Sequence, residues 1–550
     1  MKTRFLIQIM VFSLALLGQS IAQSDLQNRC LVHLDKSFYV SGELIWFKVY
    51  LPASLREQNF NIKVGVLNPA GKPLESFFIS SQGENQSSGH YKIPFDCSAG
   101  VYQLQFSALE TSAKRPVLLA EVLVPIYNDL EKVDAQVATS THSGPDAATA
   151  LQDLQVEIRL PKTNYQAREQ VQGKIQVKNR EGNPVPAQLS IVVSDWELSG
   201  TAVWPQANWS LGPVISPGTL SKQVYTQVKL QSNSAAQSQN LVGIFFPQNW
   251  QLLYTSSQRP EYWVEVPAFT GRKQVQFLGH PNPEVQVQLL ESFPGKASPP
   301  LSFTPSIRQY LEWSRMRKKI YQLYNALEMS LPGTAPIKDS IPLRPDRSLR
   351  PAEFEAFEDL ATFFREISTP LSFKQERKTG VYSAKMYNPG TFTDYPSAPV
   401  FVIDGKMTRD ADFVARLKCS QIESIDLYYQ PTQLLGYFKA IGRSGVVHIR
   451  SKAEIAIPAA EAEDIFHLNG LQAAAAFPAL KAEQLQAAPA QAFFRPQLYW
   501  QANLRTDAQG QVDFSFLQGD DWSRFRIQVI VQGEGGRLGE GQVIYSVGSK

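Results

Sequence analysis

Cysteine and histidine are scarce in this chain: three of the first and six of the second in 550 residues. Cys30, Cys97 and Cys419 form no Cys-x-x-Cys. His33, His90, His142, His280, His448 and His467 form no His-Glu-x-x-His, so no metal-ligand pattern can be read. A Gly-x-Ser-x-Gly nucleophile elbow is also missing. The glycine-rich stretch 533–539 has Leu538 where a dinucleotide fingerprint needs its third glycine. Residues 65–72 are one residue too long for a phosphate loop and end on Lys72-Pro73. The adjacent acids Asp520-Asp521 read as a solvated turn. No catalytic, cofactor-binding or metal-binding residue is nominated, no cofactor is expected, and the chain reads as a non-enzyme. An excess of one charge is lacking too, with 53 Lys and Arg against 50 Asp and Glu. Nothing therefore points to nucleic acid as a partner.

Only one long apolar run exists, at 5–17, behind the basic residues Lys2 and Arg4 and ahead of Ser20-Ile21-Ala22. That order is the pattern of a cleaved export signal over 1–22. Thirteen residues are too few to span a bilayer, which takes roughly 20. No Cys follows the expected cleavage point to carry a lipid, the nearest being Cys30. Losing Lys2 and Arg4 with the signal takes the formal charge from +3 to +1. Three cysteines are few for an exported protein, so cores rather than disulfides must hold the domains. Cys30 and Cys97 fall in one expected domain and are candidates for a disulfide; Cys419 reads as a small buried apolar residue.

What is abundant is short alternating apolar patterning, the mark of β-sandwiches. Residues 23–128 read as one sandwich, with 44–51 as its richest strand, followed by a linker at 129–152. A second sandwich is expected over 153–225, a weaker third β region over 226–300, and a C-terminal β segment over 496–550. At 301–347 the period becomes helical: Ile307, Tyr310, Leu311, Ile320 and Leu323 recur, with Arg315, Arg317, Lys318 and Lys319 among them, before a Pro-rich passage. Such a helix either lies on an anionic membrane surface or packs between domains, and the second reading is favoured. Residues 348–455 read as a small α+β unit, opening with a helix that carries Phe354, Phe357, Leu360, Phe364 and Ile367 on one face. The Ala/Gln-rich stretch 456–495 reads as a spacer. The expected fold class is mainly β and multidomain.

Two resemblances emerge from particular residues. His33-Leu34-Asp35-Lys36-Ser37-Phe38-Tyr39-Val40-Ser41-Gly42-Glu43 resembles the D-K-x-x-Y-x-x-G-E opening of a macroglobulin-like domain, and Thr506-Asp507-Ala508-Gln509-Gly510 resembles a D-x-x-G turn of the same family. The α+β unit is similar to the plug domain of TonB-dependent outer-membrane receptors in Val402-Ile403-Asp404-Gly405 and in Gly442-Arg443-Ser444-Gly445. The resemblances imply macroglobulin or Ig-like sandwiches beside a plug-like unit. They make Asp35, Lys36, Tyr39, Gly42, Glu43, Asp404, Gly405, Gly442 and Gly445 fold markers rather than chemistry. No thioester sequence is present, since Cys97 lies in Asp96-Cys97-Ser98 and Cys419 in Lys418-Cys419-Ser420. Too few residues follow 450 for a receptor barrel of about 22 strands.

The expectation is an exported, non-enzymatic envelope protein, periplasmic or outer-membrane associated, that binds another envelope or outer-membrane protein, with peripheral membrane attachment left open. The alternative is a thioester-less macroglobulin-type protein that interacts with proteases, with the spacer as the segment to be cut.

Overall fold

Three turns between successive strands of the chain are built alike, and their chemistry is local. At Asn68, Asn179 and Asp507 a side-chain oxygen accepts the backbone N–H groups two and four residues on, at 2.7–3.1 Å. The third residue after each is Gly71, Gly182 or Gly510, all at positive φ. An Asn or Asp that satisfies its own turn, followed by a glycine free to take the left-handed region, holds the turn without help from the core.

The computed structural model describes residues 28–83, 86–131, 151–199, 207–216, 218–231, 240–246, 251–257, 261–280, 286–290, 295–323, 344–354, 356–367, 369–438, 442–457 and 465–548. The export signal expected over 1–22, most of the linker 129–152 and most of the Pro-rich passage lie outside them.

The fold is mainly β, as expected, and built from stacked small sheets with one α+β unit. In the first sandwich a sheet of Arg29–Leu34, Leu44–Tyr50 and Ser88–Lys92 faces a sheet of Tyr39–Val40, Asn61–Leu67, Pro73–Ser80, Gly100–Glu110 and Arg115–Tyr127. Their inward residues, among them Val32, Phe47, Val64, Leu104 and Val124, form one core. Trp209–Val214 adds a strand beside Arg29–Leu34, so this part of the stretch assigned to the second sandwich belongs to the first. Cys30 is buried in that core while Cys97 lies half-buried in the loop before Gly100. All three cysteines are free thiols, so the Cys30–Cys97 pair considered from the sequence is not formed.

The second sandwich is closed from a distance. Leu154–Arg159, Gln170–Asn179 and Ala187–Asp195 supply half of it; Gln497–Arg505, Gln511–Leu517, Arg524–Gly533 and Leu538–Val547 supply the rest. Ala187–Asp195 runs between two of these C-terminal strands. The expected units 153–225 and 496–550 are therefore one domain, because each half alone leaves an apolar face bare. The third sandwich repeats this arrangement. Its strand Arg272–His280 pairs with Ile465–Asn469, which corrects the spacer reading of 456–495 for those residues. The α+β unit is thus inserted into the third sandwich, and the third into the second.

Within the α+β unit, Val400–Ile403 runs parallel to Val446–Ser451, at the centre of a sheet that also holds Arg347–Leu349, Ile422–Tyr428 and Lys406–Thr408. Phe401 and Ile403 face one apolar cluster, Val400 and Val402 another. Burial on both faces explains the unbroken apolar run in the sequence. Phe245 of the third sandwich enters the second cluster. Gln276 fixes the docking by exchanging two hydrogen bonds with the Met407 backbone, at 2.7 and 2.8 Å. The helix expected to carry Phe354 to Ile367 is only Leu360–Glu366. Asp359 caps it by accepting from Thr362 N at 2.8 Å, and Phe354 and Phe357 pack on Phe363 from outside.

Candidate functional site

The Asp35 to Glu43 segment folds into a turn wired by its own polar groups. The Tyr39 hydroxyl donates to Asp35 Oδ1 at 2.5 Å and Trp46 N donates to the same oxygen at 2.8 Å. Glu43 Oε2 accepts from Lys36 Nζ and, at 2.9 Å, from Val40 N. Gly42 stands at φ +82°, and a side-chain carbon there would come within 2.2 Å of the Phe95 ring. All of these side chains except Phe95 are buried. Burial pushes the Asp35 carboxyl up to about 6 against the opposing Lys36 charge. Burial also acts upward on Glu43, but the Lys36 and Arg317 charges and two hydrogen bonds outweigh it and hold Glu43 below the usual carboxylate range.

The helix Pro305–Leu323 docks on this turn. Its Arg317 Nη2 lies 3.5 Å from Glu43 Oε1, and its Lys318 Nζ donates to Ser41 O and Asp129 Oδ1 at 2.9 Å each. Ser314 Oγ donates to Asp129 Oδ2 at 3.1 Å, and Arg315 Nε donates to the Asp129 carbonyl. Asp129 is fully buried, which removes it from the expected linker. The basic residues that a membrane surface would need are largely spent inside the protein, so the helix is the packing element. Lys319 alone of the four is exposed.

A strap, residues 470–496, closes the other side. Gln472 Oε1 accepts from His90 N at 2.9 Å, Phe477 packs on Trp46, and Arg495 Nη1 donates to Pro478 O at 2.6 Å. Arg168 holds Pro489 O and Gln491 O and forms a two-pronged pair with Asp520 at 2.6 and 2.9 Å. Asp520 Oδ2 accepts from Phe493 N, and Asp521 Oδ2 from Arg495 N, each at 2.8 Å. Asp520-Asp521 is therefore the anchor of the strap and not a solvated turn. Burial pushes Asp521 up to about 7, with Asp195 adding to the rise and Arg317 opposing it. Burial also lifts Asp195 to about 6.

Between the first two sandwiches lies a sealed polar seam. His33 Nδ1 is 2.6 Å from Ser190 Oγ, the Tyr50 hydroxyl is 2.7 Å from the same oxygen, and Tyr50 donates to Ile530 O at 2.7 Å. A Ser–His contact resembles a nucleophile and its base, but Ser190 and His33 are both 0% exposed and no substrate reaches them. Burial drives the His33 imidazole down to about 3, so it stays neutral. Lys48 Nζ is buried on the same seam against Gln86 O and Asn503 Oδ1, which takes its ammonium down to about 7. Among the described residues no group of three or more His, Cys, Asp or Glu is arranged to hold a metal. No helix there is long and apolar enough to cross a membrane. An open groove of about 530 Å³ beside the helix is lined by Asp129, Glu131, Arg308, Leu311, Glu312 and Arg315.

The α+β unit places its marker residues in turns. Asp404-Gly405 joins Val400–Ile403 to Lys406–Thr408 with both residues at positive φ, the two-residue hairpin loop that Asp-Gly favours. Asp404 also accepts from Ser451 N at 2.9 Å. Gly445 has φ +106°, and a side-chain carbon there would meet Met386; one at Gly442 would meet Phe438. A side-chain carbon at Gly390 would come within 3.7 Å of Pro431; Phe392 is 80% exposed, and Leu435 of the helix Pro431–Tyr437 is 63% exposed.

The solved structures that match are bacterial alpha-2-macroglobulins. The trypsin-activated protein from Escherichia coli is 9% identical, with 95% of this chain and 42% of that chain covered and a TM-score of 0.23. The native conformation of the E. coli protein gives 10%, 95%, 40% and 0.23, and a Salmonella alpha-2-macroglobulin mutant 9%, 94%, 39% and 0.22. These values are low, and the chain spans about two-fifths of the length of those proteins. No protein-family model and no curated protein matches the chain.

Sequence reasoning found the Asp35 to Glu43 turn and the glycine turns of the α+β unit. It missed Asp129, Arg168, Asp195 and Asp521 as junction residues. Their partners lie up to 352 positions away, as for Arg168 and Asp520, and no local pattern announces such a contact.

Proposed function

We propose that this chain is a non-enzymatic macroglobulin-type protein that works by binding other proteins through its α+β unit. The observation that carries this reading is where the exposed apolar side chains lie. Six of the fourteen large ones exposed among the described residues belong to this unit, which holds about a quarter of those residues: Phe354, Val381, Tyr387, Phe392, Leu435 and Tyr437. Scattered apolar residues are ordinary on any surface, whereas a unit that carries more than its share of them is a candidate contact face. The export signal and the plug-like pattern support an envelope or outer-membrane protein as the partner, and a periplasmic or outer-membrane-associated location. Crosslinking in intact cells tests this. A discrete envelope-protein adduct from the Phe392 face is expected; recovery of no envelope protein overturns the location and the partner together.

One observation favours a second reading, a protease-interacting protein without a thioester. The strap helix Ala482–Ala487 has no buried residue, yet the chain on both sides of it is anchored. A protease finds an accessible segment there, and a cut would sever the chain between the Gln472 contact and the Asp520-Asp521 anchor. The strand Ile465–Asn469 is unavailable for cutting because it is paired in the third sandwich. Limited proteolysis followed by small-angle scattering tests this reading. A first cut within 481–491 with a change in dimensions supports it, and a first cut elsewhere counts against it.

A further inference from the structure

Residues 472–477 of the strap cover a slot between the first two sandwiches, and they fill it poorly. Leu44 and Trp46 of the first sandwich and Val192 and Trp500 of the second wall the slot, and the strap adds only Ala475 and Phe477 to them. The N–H groups of 473–477 donate to no described residue. Trp46 is 3% exposed, yet its indole N–H also has no acceptor among the described residues. A buried donor left unmet is costly, so a segment whose carbonyl reached Trp46 would bind better than the strap does.

The strap nevertheless holds the slot as a peptide ligand would. His90 lies opposite Trp46 in the ladder and belongs to Ser88–Lys92, the edge strand of its sheet. Its outward N–H donates to Gln472 Oε1 at 2.9 Å, and its carbonyl accepts from Gln472 Nε2 at 2.8 Å. An added strand would make the same two bonds with its backbone; here a side-chain amide supplies both. The Phe477 ring stands edge-on to Trp46 at 5.8 Å between centroids, and Arg495 Nη1 donates to the next carbonyl, Pro478 O, at 2.6 Å. One amide, one aromatic ring and one carbonyl are the parts of an extended peptide. A charged side chain would have to leave water for walls of tryptophan, leucine and valine. We propose that the slot is a peptide-binding site which the strap occupies in place of a partner protein. The occupant it fits is an extended, uncharged segment with an aromatic side chain, added as a strand to Ser88–Lys92. The inference depends neither on the contact face of the α+β unit nor on a cut in the strap.

The test is fluorescence anisotropy with a labelled peptide of residues 470–480 on the full chain, as wild type, as Gln472→Ala with Phe477→Ala, and as that pair combined with His90→Pro. In wild type the strap competes from within the same chain, so the peptide should bind the double variant about tenfold more tightly. Peptides carrying Phe477→Ser or Ala475→Glu should bind it about tenfold more weakly. An edge strand tolerates proline where the N–H points outward, and His90→Pro should weaken binding by about tenfold through the lost donor. Where a variant does not fold, the wild type is photolysed with an excess of peptide bearing a photoreactive group at the Phe477 position, and the crosslinks should map to Leu44–Tyr50 or Gln497–Arg505. No binding to the folded double variant, binding indifferent to Phe477→Ser and His90→Pro, or crosslinks confined to other elements would each overturn the proposal. Light scattering on the same samples reads the other occupant: a wild-type dimer that the peptide dissociates would put a second copy's strap in the slot and overturn the foreign partner.

Discussion

At Asp521 and Asp195 the protein holds carboxyl groups where burial opposes their charge, with consequences that depend on pH. A carboxyl raised to about 7 is protonated in the folded chain before it is in the unfolded one, whose ordinary value is 3.8. Its ionised form costs stability above pH 7, and the cost fades as pH falls through 7 toward 4. Asp521→Asn should therefore be more stable than wild type at pH 8, by about 1–3 kcal/mol, and by about half as much at pH 5.5. Denaturant titrations at the two pH values check this. His33 and His448 act in the opposite sense: burial takes them to about 3 and about 4, so unfolding gains protons as pH drops below 6.5. The comparison of variant with wild type cancels that background. Gly42 gives a second residue-scale expectation. Its φ of +82° and the nearby Phe95 ring should make Gly42→Ala destabilising by about 1–2 kcal/mol, read as a lower denaturation midpoint with unchanged slope. Gly42 was legible in the sequence because a turn motif carries its own cause. Asp195 and Asp521 were not, because their meaning lies in burial by distant strands.

For the elements, the lesson lies in the helix Pro305–Leu323 and the strap. The helical period was plain from Ile307 to Leu323, and both destinations for its basic face were readable. Only the placement of Asp129 and Glu43 opposite that face decides between them. The strap was harder. Alanine and glutamine between 470 and 491 carry no strong period, and the anchoring interactions run through backbone carbonyls and two aspartates. Limited proteolysis of the folded chain should cut first within 481–491. Arg168→Ala should speed that cut several-fold by freeing Pro489, Gln491 and Asp520, and the rate of appearance of the first fragment pair measures it.

For the whole molecule, the governing fact is nesting: the α+β unit inside the third sandwich, and the third inside the second. Alternation showed each strand, and the mainly β class followed from it. The closure of 153–225 by 496–550 did not, since β pairing over more than 300 residues leaves no sign in either partner. A chain ending at residue 495 should keep the first sandwich protected in hydrogen exchange and lose protection over Leu154–Arg159 and Ala187–Asp195. The reading of this assembly as a protein-binding device, with its contact face on the α+β unit, is tested most directly by a photoreactive side chain placed in intact cells at Tyr437 and, as a control, at Asp513 on the exposed second sandwich. The account predicts one discrete protein adduct at Tyr437, none at Asp513, and loss of the first when Phe392→Ser and Leu435→Ser are introduced. Equal labelling at the two positions, or a Tyr437 adduct that survives both substitutions, would contradict it.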